Sequence, residues 1–276
     1  IYTDNLGLRI SKNSTPKYER KKNILIFGDS FTYGTGLEHS DSYVGLMEKE
    51  LKDYNIYNFS VSSYSPSVYL YKLNQAIKLG IKPKKIFIFL DLSDVLDEAN
   101  RWVYDNTKHI VETKKSEQNS HFKNDGFKQK NFILLNEFAS ILNFNLRIMK
   151  SKFHNTFNKN QKTPKIMTTF QSSFTYKKIN DLNRNYWEEK DLKVGLKKIE
   201  SIFKRIENLS SKHESELYLV IYPWAETLQF GQKAFNWSHF ASTLCKEENC
   251  KLIDAIPEFE EYKKRNVNWN NKLYFL

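Results

Sequence analysis

Three short apolar runs near the start of the chain constrain its fold more than any other feature. Asn23–Phe27 (NILIF), Asn55–Val61 and Lys85–Leu90 (KIFIFL) recur about thirty residues apart, and the segments between them have helical spacing. After the first run, Asp41 or Ser42 caps a helix with Val44, Met47 and Leu51 on one face. After the second, Ser65-Pro66 opens a helix with Leu70, Leu73 and Ile77 on one stripe, and Gly80 stops it. KIFIFL is apolar along its whole length, as a strand must be when helices cover both faces of its sheet. The alternation predicts an α/β fold with a parallel, doubly wound sheet.

The rhythm resumes late in the chain. Leu192, Leu196, Ile199, Phe203 and Ile206 mark a long amphipathic helix; Glu216–Tyr222 (ELYLVIY) reads as a strand, Phe235–Lys246 as a helix and Lys251–Ile253 as a short strand. Lys272–Leu276 (KLYFL) reads as one more strand. Between the halves, residues 101–187 break the pattern and contain the apolar segment Phe132–Met149. They are expected to form a helical insertion, packed on the core or covering a substrate. One domain is therefore expected over 1–276, with a lead-in segment at 1–22.

Composition narrows the partners. Lys+Arg 43 against Asp+Glu 32 gives a formal charge of +11, but no nucleic-acid motif accompanies it. The clearest basic stretch, Arg147 to Lys165, reads as a solvated helix end and loop. No run reaches membrane-spanning length, so a membrane anchor would lie outside these residues. Cys245 and Cys250 match neither redox nor zinc spacing; a disulfide and two reduced thiols remain equally open. HExxH, GxxxxGK[ST], GxGxxG and GxSxG are all missing, so no metal or organic cofactor is expected.

In an open parallel sheet, ligands bind beyond the carboxyl ends of the strands. The first strand is followed there by Gly28-Asp29-Ser30-Phe31-Thr32-Tyr33-Gly34. A serine at a strand-to-helix turn presents its hydroxyl and its own N–H at one point, a nucleophile beside an oxyanion donor. An ordinary turn capped by Ser30 is the plain alternative.

GDSFTYG directly after ILIF resembles the first sequence block of the SGNH (GDSL-like) hydrolases. The resemblance covers roughly 20–100 and 190–276. It implies a flavodoxin-like three-layer α/β/α sandwich and acyl-ester hydrolysis or acyl transfer through Ser30, with Asp29 in a supporting role. The second block places Ser63 where the family supplies a backbone oxyanion donor, usually glycine, with Tyr64 beside the substrate. The third block, usually Gly-x-Asn-Asp, is Asp91-Leu92-Ser93-Asp94 here. Asp94 matches, while Ser93 stands at the asparagine position and would donate to the oxyanion in its place.

The family's Asp-x-x-His block, which supplies the general base, is absent; it is expected beyond Leu276. His39, His109, His121, His154, His213 and His239 are all poorly placed to replace it. Tyr222-Pro223-Trp224-Ala225-Glu226 and Asp254 complete the strand ends. Trp224 and Glu226 would border the substrate, Trp224 stacking on a sugar ring or simply packing. The short lead-in Asn5–Arg9 resembles that of bacterial envelope members, many of which act on O-acetylated glycans. This implies a carbohydrate O-acyl esterase of the periplasm or envelope. The alternatives are an O-acyltransferase on an envelope glycan and a non-catalytic SGNH-like domain that binds glycan or a partner protein.

Overall fold

The computed structural model describes residues 2–12, 21–104, 110–112, 189–232, 235–246, 248–269 and 273. The chain divides into two compact units, 1–117 with 170–276, and 118–169. All described residues belong to the first.

A two-stranded antiparallel ribbon, β1 (Tyr2–Thr3) and β2 (Arg9–Ile10), leads in. Asp4 closes its turn, its Oδ1 accepting the Leu6 and Leu8 N–H groups at 2.9 Å each. There follow β3 (Lys22–Phe27), α1 (Ser30–Tyr33), a 3₁₀ turn at His39–Asp41, α2 (Tyr43–Glu50), β4 (Tyr54–Asn58), α3 (Pro66–Lys78), β5 (Pro83–Leu90) and α4 (Asp94–Asn100). A small antiparallel ribbon comes next, β6 (Trp102–Tyr104) with β7 (Ile110–Glu112). The chain continues with α5 (Glu189–Lys212), β8 (Glu216–Ile221), α6 (Ala225–Phe230), α7 (Trp237–Leu244), β9 (Cys250–Asp254) and α8 (Ile256–Arg265).

Five strands form one fully parallel sheet in the order β4-β3-β5-β8-β9. Ranked along the chain this is 2-1-3-4-5, the flavodoxin-like order, with its switch point between β3 and β5. Side-chain alternation along each strand builds two cores. Leu25, Phe27, Ile86, Ile88, Leu90, Leu217, Leu219 and Ile221 point to one face, against Leu70 and Leu73 of α3, Ile199, Phe203 and Ile206 of α5, and Trp237 and Phe240 of α7. Ile24, Ile26, Ile56, Phe89 and Val220 point to the other, with Val44 of α2. Helix, sheet and helix layers are therefore all present, and the three-layer expectation holds.

The start of α3 shows how tertiary contacts complete local signals. Ser65 occupies the N-cap and Pro66 the first helical position, but the Ser65 side chain makes no capping bond. The carboxylate of Glu98, carried by α4, supplies the cap instead. It accepts Ser65 Oγ at 2.7 Å, Ser67 Oγ at 2.8 Å and the Ser67 N–H. Burial raises the Glu98 pKa, against those hydrogen bonds, which lower it.

Sequence and structure diverge at several points. The β4 strand stops at Asn58, because Ser60–Ser63 must turn rather than extend. Of the insertion expected over 101–187, the described beginning is a β-ribbon rather than a helix; Phe132–Met149 lies outside the described residues. The strand expected over Lys272–Leu276 is described only at Leu273, which is helical. Helices α6 and α8 were not anticipated. Cys245 at the end of α7 and Cys250 at the start of β9 form a disulfide, their Cα atoms 5.2 Å apart. Among the described residues no helix is long and apolar enough to cross a membrane.

Replacing Glu98 by alanine leaves three buried donors without an acceptor. It is expected to destabilise the protein by about 3 kcal/mol, and Glu98→Gln, which keeps one acceptor oxygen, by less. Urea unfolding measures both.

Candidate functional site

Gly28 joins β3 to the turn that carries Ser30. A Cβ there would meet Thr32 Oγ1 at 2.1 Å, so only glycine lets the chain double back this tightly. Asp29 is the N-cap of α1, its Oδ1 accepting the Phe31 N–H at 2.9 Å. Ser30 is therefore the first residue of the helix, where its own N–H has no partner inside the helix. Its side chain is half-buried, and its Oγ donates to Asp29 Oδ2 at 3.3 Å.

Gly34, at φ 77°, ends the helix in the left-handed conformation. The loop beyond is held by buried Arg9 of β2, whose guanidinium donates to the carbonyls of Gly34 at 2.7 Å, Tyr33 and Leu37. The lead-in motif thus has a structural use: it braces the segment behind the serine.

Asp29 belongs to a buried acidic group at the switch point. Asp29, Asp91 and Asp94 are 5%, 0% and 1% exposed. The Tyr222 hydroxyl at the end of β8 lies 3.2 Å from both Asp29 Oδ1 and Asp91 Oδ2. Asp91 Oδ1 accepts both the N–H and the hydroxyl of Ser93 at 2.6 Å each. Asp94 Oδ2 accepts the Asp91 N–H at 2.8 Å, and its Oδ1 accepts the Tyr69 hydroxyl at 3.0 Å. Burial, and next the negative charge of Asp91, push the Asp29 and Asp94 carboxyls well above the usual carboxylate range. Burial and the same acids also raise the Tyr222 and Tyr69 hydroxyls, which keeps them neutral donors.

This network engages one of the residues expected as oxyanion donors. The single proton of the Ser93 hydroxyl is directed at Asp91, so Ser93 is not presented as an oxyanion donor. The other donor expected beyond Ser30's own N–H is that of Ser63. Ser63 lies in the turn after β4, the strand next to β3, at φ 63°. A side-chain-bearing residue pays roughly 1–2 kcal/mol for that conformation. Its carbonyl accepts the Trp102 indole N–H at 2.8 Å, while its own N–H makes no hydrogen bond among the described residues. Thr35 Oγ1 and Ser62 Oγ, 3.5 Å apart, link the two turns.

The expected substrate-side residues fall into two groups. Phe31, next to the serine, packs against Trp224 and Tyr222, with ring centroids 5.6 Å apart in each case. Tyr64 stands edge-on to Trp102, with Lys72 Nζ 5.9 Å from its ring. Glu226 is in α6, with its side chain outside what is described. Asp254 ends β9, and its Oδ1 accepts the Ile256 N–H at 2.9 Å, just before α8.

No histidine among the described residues bonds to Ser30. His39 is buried, with Nε2 3.1 Å from Glu48 Oε2. His213 and His239 are exposed. His109, His121 and His154 lie outside the described residues. Among the described residues no group of three His, Cys, Asp or Glu side chains could hold a metal ion. Sequence reasoning missed Tyr222 and Asp91 as the braces of Asp29, and Trp102 as the partner of Ser63. The position of Tyr222 and Asp91 at strand ends was the only available signal.

The fold and this edge define a parallel α/β protein with a serine turn at its topological switch point. The family model described as "Protein of unknown function (DUF1574)" matches residues 4–268, and the chain belongs to that family. No curated protein matches it. Solved structures similar to it include TesA (15% identity, TM-score 0.40, covering 84% of this chain and 77% of that one). The esterase EstA from Pseudoalteromonas sp. is similar at 12% identity and TM-score 0.43, covering 90% and 86%. Axe2, an acetylxylan esterase from Geobacillus stearothermophilus, is similar at 11% and 0.44, covering 90% and 84%.

The raised carboxyls make stability depend on pH. The folded state keeps protons on Asp29 and Asp94 that the unfolded chain releases. Their stabilising contribution is whole below the unfolded pKa, about pH 4, and is lost as pH rises through the folded values. Each retained proton costs about 1.4 kcal/mol per pH unit across that window. In Asp29→Asn, Oδ1 still accepts from Phe31 and Tyr222, and an amide N–H faces Asp91. The variant is expected to lose less stability than wild type between pH 5 and pH 8, as read by melting temperature.

Proposed function

We propose that the protein is a serine-dependent acyl-ester hydrolase of SGNH type that removes O-acyl groups from a carbohydrate through an acyl-enzyme on Ser30. The observation that carries this reading is the half-buried Ser30 hydroxyl at the start of α1, at the switch point of the sheet and braced by Asp29. The Ser63 turn, which follows the adjacent strand β4, supports it.

Ser30 Oγ attacks the ester carbonyl and forms a C–O bond, and its proton passes to a general base outside the described residues. The oxyanion is held by the N–H groups of Ser30 and Ser63. Each such donor accounts for about 3 kcal/mol of transition-state stabilisation in well-studied acyl transfer. Collapse breaks the bond to the alcohol oxygen, which leaves with the proton from the base. Water then attacks the acyl-serine, releases the acid and restores Ser30. Tyr64 and Trp224 are aromatic surfaces on which a sugar ring could stack. A disulfide between Cys245 and Cys250 suits the periplasm or envelope.

One rival has a specific observation behind it. The Ser93 hydroxyl is engaged by Asp91, and no described histidine serves Ser30, as a non-catalytic glycan- or partner-binding domain would allow. Turnover of p-nitrophenyl acetate by the full-length protein separates the two. The hydrolase reading expects Ser30→Ala to lower it by about 10³-fold or more, and acetate release from an O-acetylated polysaccharide to fall in parallel. Wild-type turnover in Ser30→Ala would rule the assignment out.

A further inference from the structure

Two non-glycine residues among those described have a left-handed backbone, Glu214 and Ser63. Glu214 follows the end of α5, an ordinary place for a helix to stop. Ser63 instead sits in the turn beyond the carboxyl end of β4, the strand next to β3. Strain kept at such an edge requires a restraint, because an L-residue relaxes to negative φ when nothing opposes it.

The restraint comes from the segment that follows α4. Trp102 Nε1 donates to the Ser63 carbonyl at 2.8 Å. The Tyr64 ring meets the Trp102 ring edge-on, with centroids 6.2 Å apart at 90°. The Arg101 guanidinium lies 5.1 Å from the centre of the Trp102 ring, and the Tyr64 N–H closes the turn onto the Val61 carbonyl at 3.1 Å. The Ser63 carbonyl and the Ser63 N–H lie on either side of one φ,ψ pair. Only those two torsions separate them, so a bond that holds the carbonyl, with the turn closed by Tyr64, narrows the directions open to the N–H.

We infer that Trp102 is a positioning residue for the oxyanion site: its indole N–H holds the Ser63 turn in the left-handed form that aims the Ser63 N–H at the reacting carbonyl. The inference rests on the acyl-ester reading above. Trp102 acts through the turn alone, so its loss should weaken transition-state binding more than substrate binding.

Trp102→Phe keeps an aromatic ring and removes the donor. With p-nitrophenyl acetate and the full-length protein, kcat is expected to fall about ten- to a hundredfold, with KM within about twofold of wild type. Ser63→Gly supplies a residue that adopts positive φ without restraint. The double variant Trp102→Phe/Ser63→Gly should therefore recover to within about threefold of Ser63→Gly alone. A merely structural role would lower the melting temperature without this recovery. Unchanged kcat in Trp102→Phe, or a loss that Ser63→Gly does not relieve, overturns the inference while Ser30-dependent turnover in wild type leaves the hydrolase reading standing. Absence of Ser30-dependent turnover in wild type overturns both.

Discussion

One buried hydroxyl, that of Tyr222, lies between two carboxylates at the carboxyl edge of the sheet, and the geometry of the serine turn depends on it. Asp29, Asp91 and Tyr222 sit at the ends of β3, β5 and β8, three neighbouring strands. Two acids this close in a dry place resist being ionised together, so burial and mutual repulsion keep a proton in the group. With that proton and the tyrosine as donors, the strand ends are tied by directional bonds rather than by apolar contact alone. Asp29, which caps α1, cannot shift without breaking them. The serine turn is thereby part of the sheet's rigid edge.

The same network also engages a side chain of the third strand end. It takes the Ser93 hydroxyl for Asp91, so the proposed reading relies on the backbone amides of Ser30 and Ser63. Backbone amides are held by the fold itself, which suits them to stabilising charge that appears only in a transition state. The second of them depends on a serine in an unfavourable conformation. Two residues outside the turns hold them: Arg9 behind the helix and Trp102 behind Ser63.

Legibility from sequence followed the range of the interactions. The three early strands and the helices after two of them were legible because period and capping are local: Ser42 does cap α2, its Oγ accepting the Gly45 N–H at 3.1 Å. Strand β8 was legible from its apolar run, whereas α6 is only six residues long and the recurrence of Ile256, Phe259 and Tyr262 that marks α8 was missed. Ser65 illustrates the limit. Its place before a proline announces a helix start, yet the side chain that caps the helix comes from Glu98, 33 positions away.

The amino-acid sequence by itself determined the parallel α/β class and the position of Ser30 at a strand-to-helix turn, because both follow from short-range patterns of apolarity, glycine and capping residues. Tertiary structure alone decided the strand order, the pairing of Cys245 with Cys250, the diversion of Ser93 to Asp91 and the clamp of Trp102 on Ser63. Each of these depends on where distant segments meet in space. A hydroxyl or an indole N–H carries no mark, in sequence, of the acceptor the fold will bring to it.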